Sequence, residues 1–215
     1  MSELKSSKLN RLMQVLGDAD LITARWLRSN GYSTSLIARY VSSGWLQAPA
    51  RGVYTLPRSV PRWDAVLRSL QRMEGLRLSA GGRFALAWHG HEHYLRLGEG
   101  PKVTIYGPDR LPRWATQLPL EGPLVHCGRG PFDPTHLNFE DATDGEQLYI
   151  EGFERQADSN MVGEVVMSSP ERAVLELCDD RPSAPLVYES DAVMQGLAGL
   201  RPNVVTPLLQ RCRIV

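Results

Sequence analysis

Two short helical segments separated by a glycine-containing turn constrain the start of this chain more than any other feature. Thr23 is a suitable N-cap for a helix that runs to Asn30, and Gly31 ends that helix. A second helix opens at Thr34 and closes at Gly44. Neither segment is long enough to bury an apolar face independently, so together they predict a helix-turn-helix.

The flanking segments extend this motif to a winged helix-turn-helix. A helix predicted over 4–16 precedes the two short helices, which must lean on it. After them, short strands predicted at 45–46 and 53–56 flank a turn at 49–52, so this region predicts a wing that carries Arg51. The aromatic side chains among apolar neighbours are interpreted as core: Trp26, Tyr40, Trp45 and Tyr54.

The pattern changes after Pro57 and Pro61, where we place the boundary between a domain over 1–60 and a domain over 61–215. Helical stripes and short apolar runs then alternate, so the expected fold class is α+β, with a larger mixed domain after the winged helix. Helices are predicted at 63–75, 83–89, 191–197 and 204–213. Another helix is predicted to start at Ser168-Ser169-Pro170-Glu171, and its inward-facing residues are expected to be Ala173, Val174, Leu177 and Cys178. Strands are predicted at 103–106, 124–127, 148–150 and 165–167.

Charge is distributed unevenly along a chain that is neutral overall. Residues 1–62 contain nine Lys or Arg and three Asp or Glu, which gives +6, so the remaining residues carry −6. A basic part joined to an acidic body predicts a polyanionic partner for the basic part, and nucleic acid is the obvious candidate. The acidic stretch at 133–191 is interpreted as a solvated face, with a basic protein partner or self-masking of the basic surface left open.

The geometry of a helix-turn-helix predicts which residues contact DNA, because the start of the second helix meets base edges. Ser33, Thr34, Ser35 and Arg39 lie on that edge, and Arg39 pairs either with a guanine or with a phosphate. Arg51 is predicted to contact the minor groove or a phosphate. Four further basic side chains are predicted to clamp the DNA backbone: Lys5, Lys8, Arg25 and Arg28. The alternative is that these arginines are ordinary surface and the winged helix docks protein.

Signatures of catalysis are weak, and we expect no catalytic residue, metal or cofactor. The segment His89–His93 contains three imidazoles and a carboxylate but lacks metalloprotease spacing, so a helix end followed by a turn is favoured. A metal-dependent nuclease or hydrolase that uses these histidines remains the alternative. Three cysteines without paired spacing are expected to be reduced and packed, and the chain shows neither a signal peptide nor a membrane-spanning run, so a cytoplasmic location is expected.

Several segments, taken in order, resemble the AbiEi-type antitoxins of bacterial type IV toxin-antitoxin systems. They are 39–46, 50–54, 63–70, 81–86, 89–95, 168–177 and 199–202, which together span nearly the whole chain. The resemblance implies a winged helix that binds inverted repeats in operator DNA and represses its own operon. It also implies a second domain that counteracts a nucleotidyltransferase-like toxin, with direct contact left open. Related sequences usually continue beyond Val215, and if that continuation takes part in neutralisation, these residues are expected to bind DNA without antitoxin activity.

Overall fold

The computed structural model describes residues 2–19, 21–91, 102–133, 139, 145–157, 161, 163–179 and 199–213. The fold is α+β, as the sequence predicts, with a small three-stranded sheet followed by a larger five-stranded one. The helices are α1 (Ser2–Ala19), α2 (Ala24–Ser29), α3 (Thr34–Ser42), α4 (Trp63–Arg68), α5 (Gly82–Trp88), α6 (Gly145–Ile150), α7 (Pro170–Asp179) and α8 (Pro202–Arg211). The strands are β1 (Leu21–Thr23), β2 (Gln47–Ala50), β3 (Val53–Thr55), β4 (Ser79–Ala80), β5 (Val103–Tyr106), β6 (Leu124–His126), β7 (Phe153–Gln156) and β8 (Val165–Ser168).

The predicted helix-turn-helix is confirmed, and its ends follow from capping. The Thr23 hydroxyl accepts a hydrogen bond from the backbone N–H of Trp26, at 3.2 Å, and so caps α2. At the other end Gly31 has a φ of 79°, and the N–H groups of Gly31 and Tyr32 bond the carbonyls of Arg28 and Leu27. This is a Schellman motif, which satisfies the last carbonyls of α2 and turns the chain toward α3.

The wing is a β-hairpin, and a third strand that the sequence did not predict completes its sheet. Strand β3 lies between β1 and β2, antiparallel to both, and residues 51–52 form the turn between β2 and β3. Helix α1 continues past the predicted end at residue 16. Trp45, predicted to be core, is instead 50% exposed, whereas the next residue, Leu46, is buried. The chain leaves α3 through a turn in which the N–H groups of Trp45 and Leu46 both bond the Tyr40 carbonyl, and Leu46 is the side chain that enters the core.

In the second part, the five strands run in the order β6-β5-β4-β8-β7. Strand β4 pairs antiparallel with β5 and parallel with β8, so the shortest strand lies at the centre of the sheet. Helix α4 continues into a π-helical turn, Ser69–Met73, which ends before Gly75 as predicted. Helices α5 and α7 pack against each other, and the start of α7 lies close to residues 199–202 through the Glu171–Arg201 pair.

Two predictions for the second part are wrong. The segment 148–150 was expected to be a strand but belongs to α6, where Leu148 is buried and Ile150 exposed, as on an amphipathic helix. Three consecutive apolar residues do not distinguish the two structures. Cys178, expected to face inward, is exposed because it lies about 100° around α7 from the buried Leu177. The predicted helix at 191–197 lies outside the described residues.

The two parts of the chain share their apolar cores. Leu21 and Val53 of the small sheet belong to the large core around the five-stranded sheet, and Met73 packs against the core of the winged helix. Glu74 adds polar contacts, because it accepts a hydrogen bond from the Thr23 hydroxyl and pairs with Arg25 at 3.3 Å. The winged helix is therefore attached through buried contacts. No described helix combines the length and hydropathy needed to cross a bilayer.

Candidate nucleic-acid interface

Helix α3 presents a face of small side chains and one arginine to solvent. Ile37 and Tyr40 are buried against the rest of the winged helix. The opposite face consists of exposed residues: Ser35, Ala38, Arg39 and Ser42. Small side chains let a helix backbone approach another surface closely, and Arg39 supplies a long cation beside them. Such a face is suited to entering the major groove of a duplex.

The predicted contacts at the start of α3 lie close to Lys8. The Ser33 hydroxyl caps α3 by accepting a hydrogen bond from the N–H of Leu36 and lies 3.1 Å from the Ser35 hydroxyl oxygen. Lys8 reaches the same turn, where its Nζ donates to the Gly31 carbonyl at 2.7 Å. Lys8 therefore holds the turn in place and brings a positive charge near the exposed Ser33, Thr34 and Ser35. The side chain of Lys5 lies outside the described residues.

The wing turn lies against the start of α2. The Gly52 carbonyl accepts a hydrogen bond from the N–H of Ala24 at 2.7 Å, and Gly52 adopts a φ of 81°. This contact brings the exposed Arg51 to the end of α2 that carries Arg25. Arg28 stands three residues after Arg25 and so shares its helix face. The structure thus places three predicted phosphate contacts, Arg25, Arg28 and Arg51, on adjacent elements.

Uncompensated positive charge distinguishes this surface. Residues 21–62 contain six arginines and no Asp or Glu. The second part of the chain supplies carboxylates to two of these arginines, Arg25 to Glu74 and Arg62 to Asp64. No carboxylate among the described residues pairs with the other four: Arg28, Arg39, Arg51 and Arg58. A polyanion would therefore be attracted to this part of the molecule.

Two residues that the sequence analysis did not single out as contacts also lie on this surface. Trp45 follows the end of α3 and exposes half of its side chain. Arg58 is exposed and has a φ of 65°. Among the described residues other than glycine, it is the only one with a positive φ. The sequence offered one signal for each, the glycine before Trp45 and the proline before Arg58, but neither signal predicts exposure.

In the described part of the histidine segment, His89 ends helix α5 and His91 follows the turn at 89–90. His89 is the C-cap of α5, and its Nε2 lies 3.1 Å from the carbonyl oxygen of Ser168. Burial, together with the nearby His89, lowers the pKa of His91, although the Glu171 carboxylate opposes this. Within the described ranges no group of three His, Cys, Asp or Glu side chains could hold a metal ion. Glu92 and His93 lie outside those ranges.

A cavity of about 300 Å³ lies beside α7, and its charged groups pair with one another. Its lining includes His91, Glu154, Glu171 and Arg201. The guanidinium of Arg201 donates to both oxygens of Glu171 at 2.8 Å and to Glu154 at 2.5 Å. Burial alone would raise the pKa of Glu171, but hydrogen bonds from the side chain and backbone of Arg201 outweigh burial and lower this pKa to about 2. These ion pairs join α7 to the segment before α8.

Two family models match the chain, one after the other. The first, described as a transcriptional regulator, AbiEi antitoxin N-terminal domain, matches residues 5–97. The second, described as a transcriptional regulator, AbiEi antitoxin, of type IV toxin-antitoxin systems, matches residues 100–215. A comparison with curated proteins finds no match.

Proposed function

The chain belongs to the AbiEi antitoxin family, the transcriptional regulators of type IV toxin-antitoxin systems, and from this premise we propose that it binds operator DNA and represses its own operon. The winged helix, assigned to residues 1–60, is the DNA-binding part of this proposal. Residues 61–215 form the part that counteracts a nucleotidyltransferase-like toxin. The protein acts by binding rather than by catalysis.

The observation that carries this proposal is the segment 21–62 of the winged helix and its linker, which contains six arginines and no Asp or Glu. Arg28, Arg39 and Arg51 extend from helices and a wing whose positions are fixed by caps and a hairpin, and no described carboxylate neutralises them. Each phosphate that such a side chain neutralises releases counterions, so affinity falls with salt by a slope of about −0.9 per contact. Inverted repeats are the operator that the family resemblance implies, and helix-turn-helix dimers in general bind two half-sites.

The predicted residues divide into two roles. Ser35 and Arg39 lie one turn apart on the exposed face of α3 and are placed to reach base edges. Arg25 and Arg28 of α2 and Arg51 of the wing turn are placed to hold phosphates. Ser33 and Thr34, exposed at the start of α3, belong to the first role, and Lys5 and Lys8 belong to the second.

A gel shift with the region upstream of its own gene tests this function. We expect Arg51→Ala to weaken binding to the operator and to a shuffled duplex by the same factor, because phosphate contacts carry no sequence information. We expect Arg39→Ala also to reduce the preference for the operator, by about 1 to 3 kcal/mol if it reads a guanine. Equal losses of Arg39→Ala on both duplexes would remove its base-reading role.

The salt dependence of the same shift separates DNA binding from protein docking. A winged helix that docks protein is not expected to bind a duplex with a steep slope of log affinity against log salt, because that slope comes from phosphate contacts. Absence of any shift with wild-type protein between about 50 and 200 mM salt would overturn the proposed function. Toxin rescue in cells tests the second half of the proposal, because failure of these 215 residues to restore growth would reject neutralisation by this chain.

A further inference from the structure

We propose that Trp45 and Arg58 form a contact site for the sugar-phosphate backbone of duplex DNA, at the base of the wing beside the end of α3. The proposal rests on the proposed function and deepens it. It adds a second anchoring point to the α3 face and the wing turn.

The backbone conformation of Arg58 is the first observation. A φ of 65° is left-handed, and a residue with a Cβ pays about 1 to 2 kcal/mol there relative to the right-handed region. Glycine would adopt this φ without that cost. The conformation is held by Gln47, whose side-chain oxygen accepts a hydrogen bond from the Arg58 N–H at 3.2 Å. The Arg58 side chain itself is exposed, so packing does not account for an arginine at a position that favours glycine.

The exposure of Trp45 is the second observation. Its N–H donates to the Tyr40 carbonyl at 2.9 Å, and the N–H of Leu46 reaches the same carbonyl at 3.2 Å. These bonds fix the backbone of Trp45 at the end of α3, while Leu46 takes the buried position. Half of the largest apolar side chain is thereby held in solvent on a rigid backbone. A tryptophan so placed is typical of a contact surface.

A hydrogen bond holds the backbone of Arg58 beside Gln47, two residues after Trp45. Gln47 stands opposite Thr55 in the β2–β3 pair. The pairing ends there, and the chain then turns at 56–59, where the N–H of Ser59 donates to the Leu56 carbonyl at 3.2 Å. The hydrogen bond from Arg58 to the Gln47 side chain confirms that the two segments remain adjacent beyond the end of the strands.

The charge around the site selects duplex DNA as the partner. An indole face with a neighbouring guanidinium fits a deoxyribose and its phosphate, which are an apolar ring and an anion side by side. Arg39 is the residue before Tyr40, whose carbonyl holds Trp45, so the site continues directly from the exposed face of α3. The absence of Asp and Glu from 21–62 favours a long polyanion over a protein surface of mixed charge.

Fluorescence anisotropy with two labelled duplexes tests this site. The duplexes are the upstream region of the gene and a shuffled sequence of the same length, each measured over about 50 to 200 mM salt. We expect Arg58→Gln to weaken both about tenfold and to reduce the salt slope by about 0.9, the value of one phosphate contact. Arg113→Gln, which removes an exposed arginine from the second part of the chain, is the matched control and leaves affinity and slope unchanged.

Two further variants separate contact from folding. Arg58→Gly is expected to lose the same affinity while its melting temperature stays equal to or above that of wild type, because glycine relieves the strained φ. Trp45→Ala is expected to weaken both duplexes without changing the salt slope, and Trp45→Phe to recover part of the loss.

Three outcomes of this experiment would reject the Trp45–Arg58 site, and only one of them also rejects the proposed function. If wild type binds with a steep slope but Arg58→Gln and Trp45→Ala bind within about twofold of it, this site is rejected and the proposed function stands. If poly-glutamate competes with the labelled duplex for the wild-type protein as effectively as unlabelled DNA does, the site recognises an acidic protein and the proposal is overturned. If wild type binds neither duplex, both the proposed function and this site fall.

Discussion

Replacing Glu171 by Gln is expected to destabilise the fold by about 3 kcal/mol at pH 7 and by clearly less at pH 3. Glu171 is 2% exposed and receives hydrogen bonds from the Arg201 side chain and backbone. Its pKa falls from an ordinary 4.5 to about 2, and each pKa unit corresponds to 1.36 kcal/mol. The ionised carboxylate therefore contributes about 3 kcal/mol to the free energy of unfolding.

The sign follows from the two pKa values. Because the folded state has the lower pKa, the stabilisation is fully present above the unfolded value near 4.5 and is lost as the pH falls toward 2. At pH 3, only about 1.5 kcal/mol of it remains. Urea unfolding of wild type and Glu171→Gln at pH 7, 5 and 3, followed by circular dichroism, measures the difference directly. Other titrating groups cancel in that difference.

Glu164→Gln is the matched control. Glu164 pairs with Arg155 at 3.4 Å with about half of its side chain exposed, and exposed ion pairs contribute about 0 to 1 kcal/mol. A difference between wild type and Glu171→Gln that stays constant from pH 7 to pH 3, or that is no larger than the Glu164→Gln effect, would refute the argument.

Three further substitutions test the capping and packing of both parts of the chain. Thr23→Ala removes the cap of α2 and should cost about 1 kcal/mol, whereas Thr23→Ser should cost much less; thermal melts compare the two. Gly17→Ala should add about 0.5 to 1 kcal/mol in urea unfolding, because Gly17 lies inside α1 with open space around it, and a decrease would contradict this. Gly81→Ala should cost several kcal/mol, because its Cβ would lie 2.2 Å from a buried Glu176 oxygen, whereas Gly199→Ala, with nothing within 4 Å, should change stability by less than about 0.5 kcal/mol. Equal stabilities of the Gly81→Ala and Gly199→Ala variants would show that the pocket around Glu176 is looser than described.

Capping residues and glycines made the winged helix predictable from sequence. Thr23, Gly31 and Gly44 fix the ends of α2 and α3, and each acts within a few residues of its own position. The same locality explains the misses. Strand β1 has three residues and strand β4 two, and both exist only because distant strands pair with them. A segment this short carries no periodicity of its own.

The candidate site was predictable to a similar extent. The arginines of the first sixty residues follow from composition, and the α3 face follows from helical spacing. The exposure of Trp45 did not follow, because an aromatic residue among apolar neighbours is more often core. Which arginines keep their charge uncompensated depends on Glu74 and Asp64, which come from the second part of the chain. Such pairing is a property of the tertiary structure.

The sharing of core residues between the two parts has a consequence for evolution and for protein engineering. A fragment cut after the wing would expose Leu21 and Val53, which are wholly buried in the intact chain, and would lose the bonds of Glu74 to Thr23 and Arg25. Shuffling this winged helix onto an unrelated body would demand a new apolar surface beneath it. We therefore expect a substitution that loosens one part to lower the stability of the other as well.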